Sequence, residues 1–568
     1  MADVGLLVDQ QYSTLAGFVF TFNVIMGNGP LTLPAAFAKA GWLISIIVLI
    51  FLNFLSYLTV TFIIEAMSIS NAVARLRFRL EQPVEETSSD EEEAFRAPTE
   101  ASSTSVDRCS IDEHNIEQEE LEASALCRSP EFFSILQKFE LSQMFSIYFG
   151  RIGNFLFYLV MCIYLYGDLA VYAAAVAKSL RDVVCIRNVT GGILSDADIC
   201  FSTSTLTRMD VYRIFLLGFI VCMCPFLFFH VTKSRWLQLT TAGIRWFTYL
   251  LLICLAIDRA IVLRTWSGPD PPEPVPYPTP VRASGIPTLF GIAVYVFMCH
   301  HSLPGVITPI RNKHRLNLRV IFPLFLTILG CNLLLSGTAV AGFNNIKDLY
   351  TLNFVPDEHS YDTFKIPYLL AQIFGYFISL FPVFALSSAF PIISTTLLGN
   401  IRTLFSLFKP FQTDHAQKVL RYVLPFVVAI PPCAVSLGVN DISFLVNFTG
   451  AFAGSGIQYI IPAVLVYRAR RYLYSMLHPD VGYENFASTK HGDEEPLYPT
   501  NVNSLDPASR GRNLGCCERL AAWWRSCAQM KVVGPHSSIF QHILWVIFIL
   551  VWAIFCIVFV LVDKIYPF

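Results

Sequence analysis

The sequence predicts an all-α integral membrane protein of eleven spanning segments, two of them broken. Three observations carry that prediction. Of 568 residues, 54% are hydrophobic and only 14% are charged, where a soluble chain carries about a quarter. The charges collect between apolar runs of about 20 residues, the length that crosses a hydrocarbon core. Two of those runs are interrupted, at Gly27-Asn28-Gly29-Pro30-Leu31-Thr32-Leu33-Pro34 and at Cys299-His300-His301-Ser302-Leu303-Pro304-Gly305. Lipid offers no partner to a free peptide group, so broken backbone at that depth is buried in protein or lines a polar cavity. Matched breaks in two halves of a chain are the pattern of a secondary transporter built from inverted repeats, with substrate held at the breaks.

In chain order the segments fall at 12–38 (broken), 42–67, 153–178, 211–230, 241–264, 286–310 (broken), 319–342, 367–398, 420–438, 441–467 and 538–563. Pro425, Pro431 and Pro432 interrupt the ninth. Met1 to Gln10 has no basic n-region, so the first segment is expected to stay as a membrane helix. The chain then divides into segments 1 and 2 (1–67), an acidic and largely disordered cytoplasmic loop (68–152), segments 3 to 5 (153–264) and a Pro-rich outer loop (265–285). Segments 6 to 10 (286–467) form the second repeat, followed by a cytoplasmic loop (468–537) and by segment 11 with a short outer C-terminus (538–568).

Orientation follows from the basic residues. Arg75, Arg77 and Arg79 follow segment 2, Lys233 and Arg235 follow segment 4, Arg311, Lys313 and Arg315 follow segment 6, and Arg468, Arg470 and Arg471 follow segment 10. Such clusters stay in the cytoplasm. The N-terminus is therefore expected inside and the C-terminus outside or in a lumen, at the plasma membrane or an endolysosomal membrane. The loop after segment 3 would face an oxidising compartment, where Asn188 is a glycosylation acceptor and Cys185 and Cys200 can pair. The sequon at Asn447 lies inside segment 10 and is not expected to be used. Residues 80–145, with Ser88-Ser89-Asp90-Glu91-Glu92-Glu93, read as a solvated linker or as a regulatory loop for a cytoplasmic partner. A net charge of -2 gives no reason to expect nucleic acid. The expected partners are the lipid bilayer and a small-molecule substrate.

The residues at the breaks suggest the chemistry. Gly27 and Gly29 let the backbone leave helical geometry, and Pro30 suits the first turn of a restarted helix. Amides around Leu31 would then favour a carboxylate, and the carbonyls that end the preceding half-helix would favour an ammonium or a cation. An amino acid presents both charges. His300 and His301 add imidazoles that titrate near neutrality, although adjacent residues cannot share one helix face, so one functional histidine is expected. In segment 3, Asp168 lies mid-membrane, where a carboxylate costs on the order of 3 kcal/mol unless it faces the protein interior. Tyr164 and Tyr172 flank it at four-residue spacing on the same face, which suits a proton carrier or a locked structural carboxyl. Ser387 and Ser388 offer hydroxyls for sodium or for helix packing. The coupling ion is expected to be a proton or sodium, with no cofactor and no enzymatic constellation at the breaks.

Two runs carry a resemblance. Gly27 to Phe37 with Ala40-Gly41-Trp42, and Tyr295 to Pro304, are similar to the first- and sixth-helix signatures of the amino acid/auxin permease family. The resemblance implies a LeuT-like five-plus-five inverted-repeat fold with an eleventh helix, and amino acids as the substrate class. It further implies that backbone around Gly27, Gly29 and Leu31 holds the substrate carboxylate and that the region of Cys299, His300, His301 and Ser302 lines the other side; Asn28, expected at the same site, and the double histidine depart from the family pattern. A transporter-like fold can also serve as a sensor that binds an amino acid without moving it, so that alternative stays beside transport.

Overall fold

The computed structural model describes residues 11–27, 29–80, 132–185, 195–201, 205–228, 235–265, 279–313, 315–356, 366–408, 411, 413–477 and 534–565. Among them there is no β-strand, only two isolated backbone bridges, Tyr12 with Ile310 and Ile199 with Thr207. Nine helices among the described residues are long and apolar enough to cross a bilayer.

The first segment forms two helices, α1 (Thr14–Ile25) and α2 (Gly29–Ala40). Gly41 turns the chain at φ 98°, pressed against the Pro280 carbonyl, and α3 (Trp42–Leu80) follows. A short α4 (Leu141–Tyr148) leads into α5 (Arg151–Val184). Next come α6 (Arg208–Met223) and α7 (Arg235–Thr265). The sixth segment is again two pieces, α8 (Ile286–Val296) and α9 (Leu303–Ile307). It is followed by α10 (Phe322–Gly342), α11 (Tyr368–Ser406) and α12 (Asp414–Gly438). The tenth segment comprises α13 (Ile442–Thr449), two wide π-turns and α14 (Ile461–Leu477). The last helix is α15 (Ile543–Ile565).

Three features differ from the sequence expectation. Helix α3 runs well past residue 67, because polar groups along its far half bind the chain that returns from the acidic loop. Asn71 Oδ1 accepts from the amides of Leu136 (3.1 Å) and Gln137 (2.8 Å), Arg75 donates to the carbonyls of Phe132 (2.8 Å) and Ser134 (2.7 Å), and Ser68 donates to Phe133 (2.6 Å). The loop placed at 68–152 therefore ends in structure. Phe132, Phe133 and Ile135 are buried and α4 follows them; the acidic composition of the wider segment hid this short apolar run.

The prolines of the ninth segment do not break α12. Pro431 cannot donate to the Val427 carbonyl, and the Tyr166 hydroxyl of α5 supplies that donor at 2.8 Å. The tenth segment extends to Leu477, where Arg470 forms a bidentate pair with the buried Glu65 of α3 (2.6 and 2.8 Å). Burying two charges is favourable only when they meet in such geometry, and the Ser538 amide adds a third bond to Glu65 at 2.9 Å. This is one end of the bundle. At the other end Cys185 and Cys200 form a disulfide, and Asp182 is met by Arg181, Arg208 and Lys347.

Candidate functional site

The two breaks meet each other. A Cβ at Gly29 would lie 2.9 Å from Val296 Cα, so the start of α2 rests on the last turn of α8, and only a glycine permits that approach. Leu31, next in α2, is fully buried. Asn28 lies outside the described residues, as do Asn188 and residues 81–131.

The carbonyls that end α1 are satisfied within the protein. As α1 unwinds, Met26 still donates to Phe22 (2.8 Å) and Gly27 to Ile25 (2.8 Å). The freed Gly27 carbonyl accepts from the Tyr249 hydroxyl at 2.8 Å. One turn earlier on α7, Arg245 donates to the Asn23 carbonyl (2.6 Å) and to Asn23 Oδ1 (2.9 Å). The carbonyls that were expected to attract a free cation are thus met by a guanidinium and a phenol of the chain itself. Sequence reading missed both residues; Arg245 carried the available signal, as a charge inside an apolar run.

The second break divides its histidines. His300 is fully buried, with Nε2 2.8 Å from Thr59 Oγ1 on α3. Thr59 Oγ1 also lies 3.0 Å from the Leu55 carbonyl and 3.1 Å from that of Ser56, and which of Thr59 and His300 donates depends on the imidazole tautomer. His301 turns the other way, its ring 5.4 Å from that of Tyr164 on α5. Both Nδ1 atoms are buried without a hydrogen-bond partner. Cys299 is buried, and its carbonyl accepts from Ser302 (3.0 Å) and Leu303 (3.1 Å), which shapes the turn.

Asp168 is buried beside this turn. Its partner is the hydroxyl of Tyr295 on α8, which donates to Oδ1. The same-helix neighbours Tyr164 and Tyr172 are buried with it, and the Tyr164 ring lies 6.4 Å from that of Tyr295. Asp168, Tyr295, Tyr164 and His301 therefore form one polar cluster spanning α5 and the broken helix. Sequence spacing placed two tyrosines on the carboxyl's face but not the phenol that reaches it, because that phenol comes from another helix. The packing that joins them relies on Gly167, where a Cβ would collide with the Thr449 side chain, and on Gly291, where it would collide with that of Asn447. The π-turns Gly450–Gly454 and Gly456–Ile460 continue from that contact, and such wide turns recur at functional sites.

The serines of the eighth segment stand apart. Ser387 and Ser388 lie half-buried on α11, whose main neighbour is α5. Ser388 donates to the Ala385 carbonyl of its own turn at 2.8 Å. Among the described residues no group of His, Cys, Asp or Glu is arranged to hold a metal ion.

Comparison with known proteins follows the same lines. The family model for "Transmembrane amino acid transporter protein" matches residues 10–78 and 138–473. The chain is 38% identical to the Transmembrane protein 104 homolog of Drosophila melanogaster over 471 residues, 81% of this chain and 89% of the relative. It is 36% identical to Transmembrane protein 104 of Homo sapiens over 569 residues, 98% and 97% of the two chains. The Transmembrane protein 104 homolog of Dictyostelium discoideum is 31% identical over 497 residues, 82% of this chain and 90% of that relative.

Proposed function

The chain belongs to the transmembrane amino acid transporter family, and from that premise we propose that it is a proton-coupled secondary transporter of amino acids working by alternating access. The observation that carries this reading is the contact between the two breaks beside the Asp168–Tyr295–His301 cluster. The architecture is read as five-plus-five inverted repeats of the LeuT type, residues 1–264 and 286–467, with α15 as an eleventh crossing. The substrate carboxylate lies against the backbone of Gly27, Gly29 and Leu31, and the turn Cys299 to Ser302 closes the opposite side.

Asp168 carries the coupled proton, passing it through the Tyr295 hydroxyl. Sodium is the weaker choice of ion, since Arg245 and Tyr249 already occupy carbonyls at the first break and Ser388 is bonded within its own helix. The basic end is cytoplasmic, and the disulfide end faces outside or a lumen, where Asn188 carries glycan. A second reading, an amino acid sensor, draws support from residues 132–137, which tie the acidic loop directly to α3.

Uptake of labelled amino acids by purified protein in liposomes, with proton and sodium gradients imposed in turn, tests the proposal. Proton-driven uptake supports it, sodium-driven uptake reassigns the ion, and binding without flux leaves the sensor.

A further inference from the structure

Two clusters of basic residues at the end read as cytoplasmic differ in how they are paired. Those on α3 and α14 are committed within the fold: Arg75 to the carbonyls of Phe132 and Ser134, Arg77 to the Tyr472 hydroxyl (2.7 Å), Arg468 to the Tyr148 carbonyl (3.2 Å) and Arg470 to Glu65. Those between α9 and α10 are not. Arg311, Lys313, Arg315 and Arg319 fall within nine residues, and among the described residues their side chains make no ion pair and no hydrogen bond. A preference for positive charge in the cytoplasm explains their sign. It does not explain four cations gathered in nine residues without an anion, where Arg75, Arg77, Arg468 and Arg470 beside them are satisfied.

The backbone that presents them is ordered. Arg311 donates to the Tyr12 carbonyl (3.0 Å), and Leu318 and Arg319 donate to Arg315 (3.1 and 2.9 Å). Arg315 itself has φ 52°, the left-handed region that a residue with a Cβ enters at a cost. Directly along the helix from the cations, Leu318, Phe322 and Leu326 are each more than half exposed at four-residue spacing, an apolar stripe facing lipid. The cations therefore stand at the depth where that stripe meets headgroups. Lys313 is partly sunk into the protein, and burial pushes its ammonium down to about 8, as expected of a cation that lacks an anion.

We propose that Arg311, Lys313, Arg315 and Arg319 form a docking surface for an anionic phospholipid headgroup of the cytoplasmic leaflet. The apolar stripe receives the acyl chains, and the uncommitted side chains receive the phosphates. Occupancy would reach the broken helices, because Tyr12, just before α1, is bridged to Pro309 and Arg311 just after α9. The headgroup site does not depend on transport, although its leaflet rests on the orientation proposed above.

The test uses the full chain in nanodiscs, which present both leaflets and so do not depend on orientation. The thermal unfolding midpoint is measured in phosphatidylcholine alone, with added phosphatidylinositol phosphate, and with soluble inositol phosphate instead. The inference expects a rise with the anionic lipid, little with the soluble headgroup, and loss of the rise in the variant carrying R311Q, K313Q, R315Q and R319Q. Titration with a short-chain phosphoinositide should show affinity falling about fivefold per cation removed, and the milder R311Q and K313Q pair serves if the fourfold variant does not fold. No shift in the wild type, an unchanged shift in the variants, or an equal shift with free inositol phosphate overturns the lipid site. A shift that emerges only when residues 85–122 are deleted also overturns it, by assigning the cations to the chain's own acidic segment.

Discussion

The two broken helices solve the same backbone problem in opposite ways. At the first break, α7 reaches in with Tyr249 and Arg245 and takes up the carbonyls of Gly27 and Asn23. At the second, the amides of Phe297, Met298 and Ser302 bond to carbonyls of the same segment, while two imidazole nitrogens stay buried without partners. One break has its carbonyls taken up by the protein. The other keeps polar capacity in reserve, next to a buried carboxyl. A helix interruption alone therefore does not mark a binding group; what matters is whether the surrounding helices have already consumed what it exposes.

The largest test of this contrast is Asp168→Asn. It keeps the shape and a partner for Tyr295 but removes the titrating group, so proton-driven uptake should fall to background while the purified protein stays monodisperse. Unchanged pH-dependent uptake would remove Asp168 from the mechanism. Arg245→Ala comes next: stripping the donor from a part-buried carbonyl costs about 1 kcal/mol, which should appear as a lowered unfolding midpoint, partly restored in Arg245→Lys. If Arg245→Ala instead unfolds like the wild type, the first break is not held closed in this way.

Smaller effects separate the histidines. Thr59→Val deletes the hydroxyl that His300 meets and should cost about 1 kcal/mol of stability, with transport changed only in proportion to the folded fraction. His301→Gln should do the reverse, altering the apparent substrate affinity or the pH profile at nearly unchanged stability. The two results exchanged would reverse the assignment of which histidine serves the site. Ser388→Ala is expected to be the mildest, within about 0.5 kcal/mol, and to leave uptake indifferent to sodium; a lost sodium response there would reinstate the serines as ion ligands.

Much of this molecule was legible in one dimension. Apolar runs long enough to span a membrane, and glycine and proline at Gly27 to Pro34 and at Ser302 to Gly305, marked the helices and their breaks, because bilayer thickness and backbone sterics act on local sequence. The departures arose where distant chain supplied a missing partner. Tyr166 keeps α12 helical across Pro431, and Asn71 and Arg75 prolong α3 by capturing residues 132–137. The acidic loop concealed that short apolar anchor, since composition averages over a window wider than the anchor.

By itself, then, the sequence determined the membrane class, the segment order and where the backbone must break, since each rests on the solvation of residues near one another in the chain. Tertiary structure alone decided which groups remain available. The pairing of Asp168 with Tyr295, the turning of His300 toward Thr59 and of His301 toward Tyr164, and the filling of the first break by Arg245 each join residues from different helices. Hydrogen bonds saturate over about 3 Å. No pattern along the chain records which side chain, among many at the same depth, will arrive within that distance.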